Sequence, residues 1–110
     1  MFSTFEIREY TVAGKCPFAE WFDDLDAVMA ARVDRYIRRL ESGNFGAAKV
    51  VGEGVSELRL DFGPGYRVYF GRDGKTLIIL LGGGSKRRQD ADIAAAIARW
   101  KHYQQAKKEK

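Results

Sequence analysis

The sequence predicts an α+β fold of order β-α-α-β-β-β-α, with a largely antiparallel sheet packed against helices. Three observations predict it. Residues 25–40 and 93–100 repeat apolar side chains at helical spacing. Residues 55–81 hold short β-rich runs separated by the turn signals Gly63-Pro64-Gly65 and Asp73-Gly74. The stretch Phe2 to Val12 alternates loosely and is rich in β-formers. At 110 residues the chain is expected to be one domain, 1–110. Its 45% hydrophobic and 31% charged residues are enough to bury a core rather than remain a disordered tail.

Phe2 to Val12 reads as a first strand. Proline suits a first helical turn, so Cys16-Pro17 permits a helix start, and Phe18 to Phe22 is a short amphipathic piece. A longer helix follows, with Asp24 or Asp26 as its cap. Leu25, Met29, Val33, Tyr36, Ile37 and Leu40 form its apolar stripe, while Arg32, Arg35, Arg38 and Arg39 sit mostly off it. Ser42-Gly43-Asn44 ends this helix, and Gly46 to Gly54 reads as a loop. A three-residue loop at Gly63-Pro64-Gly65 would pair Leu60 with Val68, Asp61 with Arg67 and Arg59 with Tyr69. The Asp73-Gly74 turn would pair Phe70 with Leu77 and Val68 with Ile79. One face then carries Leu58, Leu60, Val68, Phe70, Leu77 and Ile79. The other carries Glu57, Arg59, Asp61, Arg67 and Tyr69 beside Ile78 and Leu80, so the last helix or a partner is expected to cover it. Gly82-Gly83-Gly84 ends the sheet, and Ser85 to Arg88 is a short basic loop. A terminal helix starts at Gln89 or Asp90 with the stripe Ile93, Ile97 and Trp100, and residues 107–110 are expected to fray.

Composition excludes several chemistries. One cysteine, Cys16, allows no internal disulfide. One histidine, His102, leaves no clustered zinc ligands and a poor basis for a serine triad. No metal and no cofactor are therefore expected. The longest strongly apolar run, Leu77 to Leu81, is far short of the roughly 20 residues that span a bilayer. The N-terminus carries Glu6 and Glu9 and lacks an apolar leader core, so a soluble, cytoplasmic protein with no membrane contact is expected. The net charge of +4 is uneven. Residues 1–54 hold 7 basic and 9 acidic side chains, whereas residues 86–110 hold 8 and 3. A basic C-terminal end suits a polyanionic partner, although a solvated helix would show the same charges.

The main candidate site is the sheet face with Arg59 and Arg67, beside Lys86 in the loop that follows. Guanidinium forks match phosphate oxygens, and cations stabilise the charge that develops when a 2′-hydroxyl attacks its own phosphodiester. Tyr66 or Tyr69 offers a stacking face for a base. The plain alternative is an exposed Asp61–Arg67 pair worth about 0–1 kcal/mol. The Gly-Gly-Gly-Ser-Lys run lacks the P-loop spacing, although its glycines would let a large substrate approach Lys86. Trp21 and Trp100 read as core or partner contacts, Cys16 as an unreactive thiol, and His102 as a surface residue.

Three stretches carry a family resemblance: Glu57-Leu58-Arg59-Leu60, Gly65-Tyr66-Arg67-Val68-Tyr69-Phe70, and Gly84 to Ile93 with its Ser85-Lys86-Arg87-Arg88 core. Together they resemble the RelE/ParE superfamily of bacterial toxins, and most closely the HigB-like addiction module killer proteins. The resemblance covers almost the whole chain and implies a compact RelE-like fold. It also implies the toxin half of a type II toxin–antitoxin pair, many relatives of which cleave mRNA in the ribosomal A site without metal. Arg67 matches the family's Gly-Tyr-Arg arginine, Lys86 the basic residue after the last strand, and Arg59 the arginine of the preceding strand. These three are the catalytic candidates, and Tyr69, Arg87 and Arg88 the RNA-binding ones. Arg87 and Arg88 are also register alternatives to Lys86.

Some relatives place a tyrosine near the start of the terminal helix, where this chain reads Asp90-Ala91-Asp92-Ile93. Glu57, Tyr69 and Asp92 are the candidates for proton transfer in its place. The resemblance also admits a ParE-like inhibitor that binds DNA gyrase without nuclease activity, or a degenerate module that only binds an antitoxin or nucleic acid. Expected partners are a cognate antitoxin from an adjacent gene and mRNA on the ribosome. The antitoxin is expected to be acidic or amphipathic, and to cover the face with Ile78 and Leu80 or the groove beside the long helix.

Overall fold

A computed structural model describes residues 4–109. Strand β1 is Glu6–Glu9, helix α1 is Pro17–Asp23 and helix α2 is Ala27–Glu41. Strands β2 (Ala48–Gly52), β3 (Val55–Arg59), β4 (Arg67–Asp73) and β5 (Leu77–Gly84) follow. A single 3-10 turn, Lys86–Arg88, leads into helix α3, Gln89–Lys108. The sheet order is β1-β5-β4-β3-β2. Every pairing is antiparallel except that of β1 with β5.

The expected α+β fold is present, and both faces of its sheet are covered. Val33, Ile37 and Leu40 of α2 and Phe18 of α1 pack on Leu58, Val68, Phe70, Ile78 and Leu80. On the other face, Ala96 and Trp100 of α3 pack on Val55, Tyr69, Ile79 and Leu81. Local signals placed α2 well. Asp26 caps it, accepting a 2.9 Å hydrogen bond from the Met29 N–H, and Gly43 beyond its end adopts φ +91.

Elsewhere the strands depart from expectation. The first is shorter than Phe2 to Val12, and Phe2 lies outside the described residues. Residues 46–54 are not a plain loop, because β2 lies within them. It is an edge strand with Val50 74% exposed, so it lacks the burial alternation that marks a strand. Its turn to β3 is Glu53-Gly54, both at positive φ, the geometry of a two-residue type I′ hairpin.

The β3–β4 register is two residues from the expected one. Leu58 opposes Val68, Glu57 opposes Tyr69, and Arg59 opposes Arg67. The connection is longer, closed by Leu60 N–H donating to the Tyr66 carbonyl at 3.0 Å. A slip of two keeps each side chain on its face, but it removes Asp61 from opposite Arg67.

The β4–β5 register slips by three. Phe70 opposes Leu80 and Asp73 opposes Leu77. An odd slip exchanges faces, so Ile78 and Leu80, at 0% and 2% exposure, belong to the α1/α2 core. Leu77 and Ile79 face α3 instead. The cause is Asp73, which stays in the strand because Tyr103 Oη donates to its carboxylate at 2.6 Å and Lys107 pairs with it. The turn is left to Gly74, Lys75 and Thr76. That same Lys107 contact carries α3 to Lys108, past the point where fraying is expected.

Gly82, Gly83 and Gly84 lie inside β5 rather than forming a flexible exit. A Cβ at Gly83 would overlap the Trp21 indole, and one at Gly84 the Asp92 carboxylate. The space over these glycines is therefore filled by the chain's own side chains, not left for a substrate.

Candidate functional site

Arg59, Arg67 and Gly84 stand in one cross-strand row at the end of the sheet. Lys86 follows two residues beyond Gly84, and its N–H donates to the Pro64 carbonyl at 3.2 Å. The fold thus gathers Arg59, Arg67 and Lys86 at one end, with Arg87 and Arg88 in the turn beside them. Lys86 to Ala91 line a shallow depression of about 470 Å³ there.

Two arginines directly opposed across strands repel each other. Glu57, fully buried, offsets this. Its Oε1 accepts from Arg59 Nε at 3.3 Å, and its Oε2 lies 3.6 Å from Arg67 Nε. Gln89 Nε2, at the start of α3, donates to Oε2 at 2.8 Å. The carboxylate is a shared anchor that accepts from Arg59 and Gln89 and faces Arg67.

The three cations differ in access. Arg59 has a half-exposed side chain, Lys86 is exposed, and Arg67 is only 5% exposed. Tyr69 is 1% exposed beneath α3, so it has no ring face to offer a base, contrary to the expected stacking role. Burial, reinforced by the Glu57 and Asp92 carboxylates, pushes its phenol pKa up.

Asp92 sits over Gly84, with Arg88 Nε 3.9 Å from its Oδ1. Burial raises its carboxyl above the ordinary range, against the opposing pull of Arg88 and Arg99. Asp92 Oδ2, Tyr69 Oη and Arg67 Nε are buried without a hydrogen-bond partner. A buried polar atom left unpaired is uncommon and costly. Of the two carboxylates, Asp92 holds the oxygen without a hydrogen-bond partner, buried over Gly84.

The shift has a definite sign. A carboxyl raised in the folded state binds more protons there than in the unfolded chain. Its contribution to stability is present at acidic pH and is lost as pH rises from the usual carboxylate range through the raised value. Asp92→Asn should therefore leave stability near pH 7 equal to or above the parent's, and flatten this loss in denaturant titrations run upward from the ordinary carboxylate range. If Asp92 transfers a proton, the same variant loses about 10²–10⁴-fold in turnover. Clear destabilisation at pH 7 would show instead that the ionised carboxylate supports the fold.

In the sequence Gln89 reads only as a possible start of the terminal helix. Its place over Glu57 depends on how α3 docks, which no local pattern reveals. The other reactive groups lie apart from this cluster. Cys16 Sγ donates to Glu9 Oε1 at 3.0 Å, and burial pushes its thiol up, away from the nucleophilic thiolate. His102 is exposed and its Nδ1 is hydrogen-bonded with Tyr10 Oη at 2.6 Å. Among the described residues, no three His, Cys, Asp or Glu side chains cluster to hold a metal, and no helix is long and apolar enough to cross a membrane.

The model of a family described as phage derived protein Gp49-like matches residues 20–101. An uncharacterized protein of Haemophilus influenzae is 46% identical over 80 residues, which cover 72% of this chain and 81% of that protein. The family match begins inside α1, ends inside α3 and contains every residue of the cluster from Glu57 to Asp92.

Proposed function

The chain belongs to the Gp49-like family of phage-derived proteins, which is related to the RelE/HigB toxin superfamily; from this we infer that it is the toxin of a type II toxin–antitoxin pair, acting as a ribosome-dependent mRNA endonuclease. One observation carries the nuclease reading: Arg59 and Arg67 share a buried carboxylate at one sheet end, with Lys86 in the turn just beyond. In this reading Arg59 and Lys86, the two accessible cations, hold the scissile phosphate and stabilise its transition-state charge. Arg67 acts from behind them as a positioning residue, fixing Glu57 and through it Arg59. Asp92 donates or accepts the proton, and Arg87 and Arg88 bind the flanking RNA backbone.

Lys86→Ala should lower transcript cleavage on translating ribosomes about 10²–10³-fold. Its exposed side chain makes no ion pair among the described residues, so stability should stay within about ±0.5 kcal/mol. Mapping transcript ends with the purified protein checks this. A toxic parent protein that leaves every message intact sinks the nuclease reading.

The ParE-like alternative, binding gyrase as a protein inhibitor, draws support from the burial of Tyr69 and from the missing tyrosine at the start of α3. Loss of supercoiling without transcript cleavage would favour it.

The antitoxin cannot rest on Ile78 and Leu80, which are core residues. The groove of about 250 Å³ between α1, α2 and β1 fits better. Phe18, Phe22 and Ile37 give it an apolar lining, and Glu9 and Asp23 an acidic one, while Asp34 and Glu41 are paired with Arg38. The complementary antitoxin segment is amphipathic and carries lysine or arginine, rather than being acidic.

A further inference from the structure

The outer face of α2 carries a second set of cations. Arg32, Arg35 and Arg39 recur at i, i+3 and i+7, so they share one face and span about 10 Å of helix. All three are exposed. Among the described residues none of them pairs with a carboxylate. Asp34 and Glu41 are engaged by Arg38 instead, at 3.5 and 2.8 Å. Two of the three are held in place by aromatic rings. The Arg32 guanidinium lies 4.0 Å from the Phe62 ring centroid, and that of Arg39 lies 4.5 Å from the Tyr36 centroid. Tyr36, Phe62 and Tyr66 follow one another at centroid spacings of 5.9 Å.

A guanidinium supported on a ring is already ordered and less hydrated than an ammonium, so it loses little on meeting a second planar group. Nucleobases stack on such planes. The stripe is also continuous with the candidate site, because the loop bearing Phe62 and Tyr66 contacts Lys86 through the Pro64 carbonyl.

We propose that this arginine stripe is a track for single-stranded RNA. Bases stack on the guanidinium groups of Arg32 and Arg39, a phosphate binds Arg35, and the strand leads toward Arg59 and Lys86. The destination rests on the nuclease reading, whereas the binding does not. An acidic peptide would match the charge but would leave the planar groups unused.

The test is fluorescence anisotropy of the full chain with a short labelled oligoadenylate over a range of salt, with polyglutamate as the competing polyanion. Arg32→Ala/Arg35→Ala/Arg39→Ala should bind at least tenfold more weakly, and its log–log salt slope should fall by about 0.7, the share of the one phosphate on Arg35. Arg32→Lys/Arg39→Lys should keep the slope and still lose several-fold in affinity, because lysine restores charge without the plane. This lysine pair decides the matter if the triple variant does not fold. Unchanged RNA affinity in the variants overturns the track. So does polyglutamate binding as tight as RNA binding that is lost in parallel, which would assign the stripe to an acidic protein. Failure of this proposal is separable from failure of the nuclease reading. Weakened RNA binding in the variants, with a parent protein that cuts no transcript, upholds the track and overturns the nuclease. A parent that cuts, with variants that bind RNA normally, does the reverse.

Discussion

Arg67→Ala is expected to abolish transcript cleavage and to destabilise the fold by about 3–5 kcal/mol, the usual cost of removing one member of a buried ion pair. Glu57 would remain fully buried, facing only Arg59 and Gln89. Denaturant unfolding measures the stability loss, and transcript mapping the activity. Because an unfolded variant is also inactive, the single change cannot separate the two roles. Glu57→Leu/Arg67→Leu can, since replacing both members of a buried pair by apolar groups is often close to neutral. The double variant should recover most of the stability and none of the cleavage, because Arg59 has lost its anchor. Cleavage that returns with stability would reduce the pair to a structural element. At subsaturating loss, a positioning role should appear in kcat more than in KM, because the interaction matters most in the transition state.

The second large effect concerns the docking of α3. Trp100 is 4% exposed, stacks on Tyr103 with centroids 5.2 Å apart, and lies directly on Gly71. Trp100→Ala should cost about 3–5 kcal/mol, from lost burial plus the cavity left behind. For a domain of this size that is a fall in Tm of more than about 10 °C. Gly71→Ala tests the same contact from the other side. A Cβ at Gly71 would sit 2.5 Å from the indole, so overpacking should cost about 1–3 kcal/mol. A loss below about 1 kcal/mol in Trp100→Ala would mean that other contacts hold the helix. Because α3 brings Gln89 and Asp92 to the cluster, undocking it should also reduce activity without touching a cation.

What was legible in the sequence follows the range of the interactions involved. The α2 cap, its apolar stripe and its Gly43 terminator are local, and each could be read in advance. The partition of β3 and β4 between the two faces survived a register error because the error was even. On β5 the partition failed, because the bonds that keep Asp73 in its strand come from Tyr103 and Lys107, some thirty residues onward. β2 escaped notice because an edge strand with an exposed valine resembles a loop. The candidate site divides in the same way. Its basic residues stand out by type, and their gathering at one sheet end follows from strand order. The burial of Arg67 and Tyr69, the role of Gln89 and the free oxygen of Asp92 depend on where α3 comes to rest.

The parallel pairing of β1 with β5 has a consequence for synthesis. Among the described residues, β1 finds its sheet neighbour in residues 77–80. On a nascent chain it waits unpaired for several seconds, at elongation rates of about 5–20 residues per second. The helix that completes the Glu57 cluster emerges later still. The sheet therefore closes over β1 only after residues 77–80 are made, and the cluster only after α3 has followed.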